Sequence, residues 1–253
     1  MALPLAISIA KKSETKLNDV VMAIYAGALR RYLLEKQSLP NEPLIAFVPV
    51  SFREAGNADF NNQVSGMLVG LATDVVDPIE RLKAIHASSV EAKDFTGKIK
   101  DATPRDFSLL GSSLLLQGAI GLFNRSGLAD HLRPPANVVI SNVPGPQAPV
   151  YVAGAKVLTL YPVSIPAHGM ALNMTVQSYM GALDFGLTAC RRTVPGLTLM
   201  ADYLVESLEE LRAAVLGEAG GVLPAQTARA RTPKSGDLAA KASKPSRLRA
   251  TSR

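Results

Sequence analysis

The run Leu44–Val50 constrains the fold of this chain more than any other stretch. It is short and almost entirely apolar, which is typical of a strand that is covered on both of its faces. The stretch before it, Asn18–Leu34, repeats apolar residues at helical spacing and predicts a helix. Together the two patterns favour a sheet that is layered with helices.

Further patterns extend the sheet and its helices. Asp77-Pro78-Ile79-Glu80 has a capping residue, a proline at the first helical position and a capping-box glutamate, so it predicts a helix that reaches about Lys93. Two more helices are predicted, at the uncharged run Phe107–Asn124 and at Pro195–Leu216, where Gly217 stops the second. Strands are predicted at Gln63–Thr73, Asn137–Ser141, Val157–Val163, Ala171–Ser178 and Leu183–Cys190, and the last two form a hairpin. The predicted fold class is α/β (α+β), a mixed sheet layered with helices.

The distribution of charge predicts two parts in the chain. The residues Glu218–Arg253 hold eight of the 27 basic and two of the 21 acidic residues, which leaves 19 of each sign in Met1–Gly217. We therefore predict a folded, neutral domain over residues 1–217 and a disordered basic tail over residues 218–253. With aromatic residues at 5% and no Trp, the domain lacks a stacking platform for nucleic acid, so no nucleic-acid partner is expected.

The sequence favours a cytoplasmic protein. Its single cysteine, Cys190, cannot form an intrachain disulfide, which fits a reducing compartment. In Met1–Ala10 the apolar stretch precedes its positive charges, the reverse of a secretory signal. The run Phe107–Asn124 is too short and too polar to span a membrane. It could lie on a surface instead, and the tail could bind anionic lipid headgroups, so a peripheral position at the inner membrane or on lipid inclusions stays open beside a solvated tail.

Several common catalytic signatures are absent from the sequence. It contains no G-x-S-x-G and no G-x-G-x-x-G, and Gly97-Lys98 lacks the rest of a phosphate loop. Three dispersed histidines and one cysteine give no zinc spacing, so no metal site is predicted. Asp184-Phe185-Gly186 lies in a predicted strand without other kinase signatures, which indicates a coincidence.

The most informative stretch is Asn137–Pro146. A β-branched strand leads into Ser141-Asn142-Val143-Pro144-Gly145-Pro146, in which Pro144-Gly145 suits the centre of a type II turn but Pro146 has no N–H to close it. We expect the prolines, rather than hydrogen bonds, to stiffen this loop. Ser141 and Asn142 would then be polar groups held at the end of a strand, although a purely structural bend capped by the asparagine explains the pattern as well.

This Ser-Asn-Val-Pro-Gly-Pro block resembles a hallmark of the bacterial wax ester synthase/diacylglycerol O-acyltransferase family. Three other stretches resemble blocks of the family's carboxyl-terminal half in the same order, and the likeness covers about Leu3–Leu216. They are Leu17–Val21 with Ala26–Leu33, Phe47–Arg53 with Gly56-Asn57, and His168–Thr175 with Ser178-Tyr179 and Leu183–Leu187.

The resemblance implies one half of a CoA-dependent, chloramphenicol acetyltransferase-like fold, in which two similar halves face each other across a tunnel. It implies transfer of an acyl group from acyl-CoA, the co-substrate, to diacylglycerol or a long-chain alcohol, without another cofactor. In the family a histidine of an H-H-x-x-x-D-G motif is the general base, but this sequence has no adjacent histidines. The substrate-binding residues that can be carried over are Asn18, Asp19, Ser141, Asn142, Pro144 and Gly145.

Each candidate has an alternative. Asn18 and Asp19 lie at a predicted helix start, where asparagine caps and aspartate complements the helix dipole. His168, in a loop, is the weak candidate for a substitute base, while His86 and His131 are expected to be structural or solvated. The chain could therefore act with an amino-terminal half made separately, remain as a non-catalytic lipid-surface or partner-binding remnant, or use His168 alone. A bare surface meant for the other half would favour self-association.

Overall fold

The computed structural model describes residues 1–51, 64–102, 134–166 and 169–217. The predicted helix Phe107–Asn124 and the basic tail lie outside these ranges, so they and the domain boundary after Gly217 remain predictions. The described helices are α1 (Leu3–Lys12), α2 (Leu17–Glu35), α3 (Pro78–Ala102) and α4 (Leu197–Leu216). The described strands are β1 (Ile45–Ser51), β2 (Val64–Gly70), β3 (Val138–Val143), β4 (Tyr151–Val152), β5 (Ala155–Lys156), β6 (Leu172–Tyr179) and β7 (Ala182–Ala189).

Five of the strands form one mixed sheet in the order β2-β1-β3-β6-β7. β3 runs parallel to both β1 and β6, whereas the edge strands β2 and β7 pair antiparallel with their neighbours. The predicted mixed sheet is thus confirmed. The β6–β7 hairpin turns at Met180 and Gly181, which both have positive φ. This conformation matches the twist of the flanking strands, and the glycine adopts it without steric cost.

The four described helices form a layer on one face of the sheet, and α2 lies at the centre of this layer. Every residue from 19 to 29 is buried, because helices α1, α3 and α4 pack against α2 and β7 meets it on the sheet side. A helix that is apolar on most of its circumference requires this position. On the sheet side, the ring of Tyr25 meets Phe185 of β7 edge to face at 5.4 Å. The prediction that helices are layered on the sheet is therefore confirmed for α2.

The opposite face of β6 and β7 is polar and is covered by residues 157–166, which we call the strap. Asn173 and Thr175 alternate with the apolar residues of β6 and point towards the strap. The predicted strand Val157–Val163 is wrong, because the strap forms no backbone ladder with the sheet. Side chains of the sheet bind it instead, and Pro162 has no N–H to donate to a ladder.

The ends of the helices differ from the sequence prediction in two places. α1 was not predicted, and α3 continues nine residues beyond Lys93 to Ala102. The predicted cap of α3 is confirmed, since Asp77 Oδ1 accepts hydrogen bonds from the N–H groups of Ile79 (2.9 Å) and Glu80 (2.8 Å). Apolar periodicity fades in the exposed second half of α3, which explains why the sequence did not indicate its full length.

The glycines of β2 show what packs closely there. The alternation of Gly66 and Gly70 with larger residues predicts a close neighbour on one face. A Cβ at Gly66 would lie 2.1 Å from the ring of Phe47 on β1, and the N–H of Gly70 donates a 2.8 Å hydrogen bond to Ser88 Oγ of α3. The prediction is confirmed, with a ring at one glycine and a helix at the other.

Candidate functional site

The first turn of α2 holds the two candidate residues Asn18 and Asp19. The residue that precedes the helix is Lys16, and its backbone N–H donates a 3.0 Å hydrogen bond to Asp19 Oδ2. The prediction that Asn18 caps the helix is therefore wrong, because Asn18 already lies inside the first turn. Its amide Nδ2 lies 4.0 Å from Met22 Sδ, which is a weak contact. Asp19 lies where a carboxylate stabilises the helix dipole.

Asp19 also forms a hydrogen bond that was not predicted, with His86 of α3. Its Oδ2 lies 2.6 Å from His86 Nδ1, and the carboxylate is buried while about a third of the imidazole (32%) is exposed. The other oxygen, Oδ1, is buried without a partner among the described residues. The expectation that His86 is merely structural or solvated missed this bond. The one available signal was an aspartate in an apolar helix, since a buried carboxylate needs a partner.

The Asp19–His86 pair resembles a base and its orienting carboxylate. An ionised carboxylate only accepts hydrogen bonds, so in the neutral imidazole Nδ1 carries the proton and Nε2 is left as an acceptor. The buried Oδ1 has capacity for one further donor, such as a hydroxyl group or a water. The pair can therefore hold a polar ligand or accept a proton at Nε2.

The loop after β3 is held by hydrogen bonds. The N–H of Gly145 donates to Ser178 Oγ at 3.1 Å, and Gln147 Nε2 donates to the Gly145 carbonyl at 3.0 Å. The N–H of Gly181 in the hairpin turn donates to Gln147 Oε1 at 3.2 Å. The expectation that prolines alone stiffen this loop is therefore wrong, because it is also fastened to β6 and to the hairpin turn.

Gly145 is required for space and not for a left-handed turn. Its φ is not positive, so Pro144-Gly145 does not form the type II turn that its residue types would suit. A Cβ at this position would lie 2.1 Å from the backbone oxygen of Ser178. Only glycine lets the loop approach β6 this closely.

Ser141 and Asn142 point to opposite faces of the sheet. Ser141 pairs in register with Thr175 and Asn142 with Val176, so Ser141 shares the strap face and Asn142 the helix face. Both are partly exposed near the end of β3, as predicted for polar groups at a strand end. The hydrogen bonds of the β3 loop and those of Asp19 form two separate networks, one on β6 and the hairpin turn and one on α3.

Other polar groups and a cavity lie apart from the candidate residues. His168 and His131 lie outside the described residues. A cavity of about 250 Å³ is lined by the end of α1 and the two residues after it, by α3 and by α4, namely Lys12, Ser13, Glu14, Ile79, Lys83, Ala214 and Val215. None of the predicted site residues lines it, and its volume is below the range of most ligand pockets. Within the described ranges, no three His, Cys, Asp or Glu side chains are grouped to hold a metal ion.

Two further titratable groups, Arg81 and Tyr25, are buried in the helix layer away from the candidate residues. Burial lowers the pKa of Arg81 on α3, and Glu210 on α4 opposes this effect with a 3.2 Å ion pair. Burial raises the pKa of Tyr25 well above its usual value. Neither side chain has a hydrogen bond or ion pair to one of the candidate residues that the structure describes. In the part of the chain that the structure covers, no helix has the length and hydropathy to cross a bilayer.

Comparison with known proteins identifies the family. The WS/DGAT C-terminal domain model matches residues 60–212, a range that includes His86 and the β3 loop but not Asn18 and Asp19. The O-acyltransferase WSD of Acinetobacter baylyi is 41% identical over 202 residues, which are 80% of this chain and 43% of that protein. A Mycobacterium tuberculosis protein, whose name gives diacylglycerol O-acyltransferase as an unproven activity, is 44% identical over 79% of this chain and 43% of its own length.

A solved structure agrees with the sequence relatives. The wax ester synthase/diacylglycerol acyltransferase of Marinobacter aquaeolei VT8 superposes with a TM-score of 0.65 at 38% identity, over 85% of this chain and 47% of that enzyme. This match confirms the prediction that the fold is one half of this type of acyltransferase. The chain spans less than half the length of these relatives. By its sequence and its fold, the chain belongs to the wax ester synthase/diacylglycerol acyltransferase family, of which it contains the carboxyl-terminal domain.

Proposed function

We propose that this chain is the carboxyl-terminal half of an O-acyltransferase that transfers an acyl group from acyl-CoA to diacylglycerol or a long-chain alcohol. One observation carries the proposal, namely 41% identity to the O-acyltransferase of Acinetobacter baylyi over 80% of the chain. At this level of identity the two proteins share their fold, which supports the proposal that they share the general type of reaction.

In the proposed reaction, the hydroxyl oxygen of the acceptor attacks the thioester carbon. The new C–O bond forms and the C–S bond breaks, while a general base takes the hydroxyl proton and passes a proton to the departing sulfur, so that CoA leaves as its thiol. The three histidines of this chain are His86, His131 and His168, and none is adjacent to another. We therefore assign the proton-accepting step to an amino-terminal half that carries the H-H-x-x-x-D-G motif. The present chain would be inactive alone.

The role left to this chain is to bind and orient the two substrates. We assign this role to Asn18 and Asp19 at the start of α2 and to Ser141, Asn142, Pro144 and Gly145 at the end of β3. The β3 loop suits it because its hydrogen bonds to Ser178 and through Gln147 hold it in one conformation. A rigid wall reduces the entropy that is lost when a substrate is oriented for attack.

We further propose that the protein works in the cytoplasm, at the surface of the inner membrane or of lipid inclusions. Both acceptor classes are lipids that partition into such surfaces. The basic tail has a net charge of +6 and supports this location, since each Lys or Arg near an anionic surface contributes up to about 1 kcal/mol.

Co-expression tests the proposed reaction. The chain is produced with the amino-terminal half of the Marinobacter enzyme, and ester formation from labelled palmitoyl-CoA is measured with hexadecanol and with diacylglycerol. We expect product only when both halves are present. Ester formation by the purified chain alone, at the rate of an intact relative, would contradict the proposal.

A further inference from the structure

The outer side of the strap is a strip of exposed apolar side chains. Exposure alternates along the strap, so that Tyr161, Val163 and Ile165 point away from the sheet while the residues between them are half-buried. Tyr161 is 66% exposed, and Val163 and Ile165 are each 85% exposed. Together with Leu158, which is 80% exposed, they form what we call the apolar strip. Contiguous apolar surface of this kind is rare on monomers and marks interaction sites.

The strap holds this strip in place. On its inner side, the N–H of Leu160 donates to Asp184 Oδ2, and the carbonyl of Ile165 accepts from Asn173 Nδ2, both at 3.0 Å. The hydroxyl of Thr175 donates a 3.0 Å hydrogen bond to Ser164 Oγ. The strap also approaches β7 closely at Gly186, where an added Cβ would lie 1.8 Å from the carbonyl oxygen of Pro162. The strip is therefore preformed, and little conformational entropy would be lost when it is covered.

The backbone of the strap also has unused hydrogen-bonding capacity. No hydrogen bond to another described residue uses the N–H groups of Tyr161, Val163 or Ile165. An extended segment with free N–H groups can accept a further strand at its edge. The residues 157–166 contain no charged side chain. The surface thus favours an apolar partner with an extended segment.

We propose that the apolar strip is the surface on which the amino-terminal half of the acyltransferase docks. This inference rests on the proposed function, because it identifies where the other half of the enzyme binds. The chain covers only 47% of the Marinobacter enzyme, so about half of such an enzyme remains to cover exposed surface. An uncharged apolar surface is typical of a permanent contact between parts of one protein. The partner covers Tyr161, Val163 and Ile165 and pairs an extended segment with their free N–H groups.

The test compares two double variants, each of which places two aspartates at exposed apolar positions. The full chain, the variant Val163→Asp/Ile165→Asp and the control variant Val205→Asp/Val76→Asp are each co-expressed with the tagged, soluble amino-terminal half of the Marinobacter enzyme. Val205 and Val76 are 62% and 70% exposed and lie away from the strap. We expect the unsubstituted chain and the control variant to co-purify with the tagged half. The amount of the strip variant that co-purifies should be at least tenfold lower. Thermal unfolding of each variant alone confirms that it is folded.

Hydrogen exchange locates the contact independently. In the complex, the amides of Tyr161, Val163 and Ile165 should exchange at least tenfold more slowly than in the free chain. The proposal is overturned if the strip variant co-purifies like the unsubstituted chain, if the unsubstituted chain does not bind at all, or if strap exchange is unchanged in the complex. It is also overturned if the strip substitutions abolish only self-association or only binding to phosphatidylcholine vesicles. A complex that forms through the strip but makes no ester would refute the proposed function and leave the docking surface standing.

Discussion

Asp19 on α2 and His86 on α3 are 67 positions apart in the sequence, and their side chains approach to 2.6 Å. The bond joins the central helix of the layer to the helix that covers the edge of the sheet. The carboxylate is buried and the imidazole reaches solvent. The pair therefore connects the core to the surface beside a predicted substrate-binding residue.

A double-mutant cycle should show that this pair is coupled. We expect Asp19→Asn and His86→Ala each to lower the free energy of unfolding by about 1.5–3 kcal/mol, the range for hydrogen bonds to charged groups. The double variant should lose clearly less than the sum of the two, which urea unfolding followed by circular dichroism measures. Additive losses would show that the two side chains do not stabilise each other.

Gly145→Ala should distort the β3 loop. The added Cβ would meet the backbone oxygen of Ser178 at 2.1 Å, and backbone cannot rotate away as a side chain can. We expect a loss of about 1–3 kcal/mol in the free energy of unfolding and reduced ester formation with the amino-terminal half. The matched control is Gly97→Ala on α3, where a Cβ would meet nothing within 4 Å and helix propensity rises. Equal stability of the two variants would contradict the close approach at Gly145.

Gly186→Ala should release the strap from the sheet. A methyl group there would overlap the carbonyl of Pro162, so the strap must move and its bond from Leu160 to Asp184 should weaken. We expect faster hydrogen exchange of the Leu160 amide and faster proteolysis within residues 157–166, with little change in the helices. Gly97→Ala serves again as control, and an unchanged exchange rate at Leu160 would show that the strap is not held at Gly186.

Cys190 should react as an unusually acidic thiol. A hydrogen bond from the side chain of Thr193 lowers the pKa of Cys190, and backbone N–H groups of Thr193 and Arg192 act in the same direction. Because a lowered pKa gives more thiolate at a given pH, the midpoint of the iodoacetamide rate against pH should lie below that of a free cysteine. Thr193→Val should move the midpoint upward. An identical midpoint in both proteins would exclude this hydrogen bond as the cause.

The elements that sequence patterns predicted best are those whose local signal agrees with their burial. β1, α2 and the β6–β7 hairpin lie within one or two residues of their predicted ranges, because apolar periodicity and the Met180-Gly181 turn act locally. The short helix α1 was missed, since its N-cap residue Ala2 makes no side-chain capping bond and Pro4 in the first turn is a weak start signal without a cap.

The candidate site was less predictable because it depends on long-range contacts. The Ser-Asn-Val-Pro-Gly-Pro block identified the β3 loop, yet the fastening of Gly145 to Ser178 joins positions 33 residues apart. The partner of Asp19 could not be read from the sequence, since nothing local distinguishes His86 from a solvated histidine. The strap misled for a related reason. Its residues favour a strand, but the side chains of β6 and β7 bind it in place of a ladder.

The two unlike faces of β6 also protect the fold against misalignment. Met174 and Val176 enter the apolar layer while Asn173 and Thr175 bind the strap. If β6 slipped by one position against β3, the side chains of Asn173 and Thr175 would point into the apolar layer without hydrogen-bond partners. The strap would also lose the hydrogen bonds that hold it to β6. Every alignment of β6 that is shifted by an odd number of positions therefore carries two simultaneous penalties.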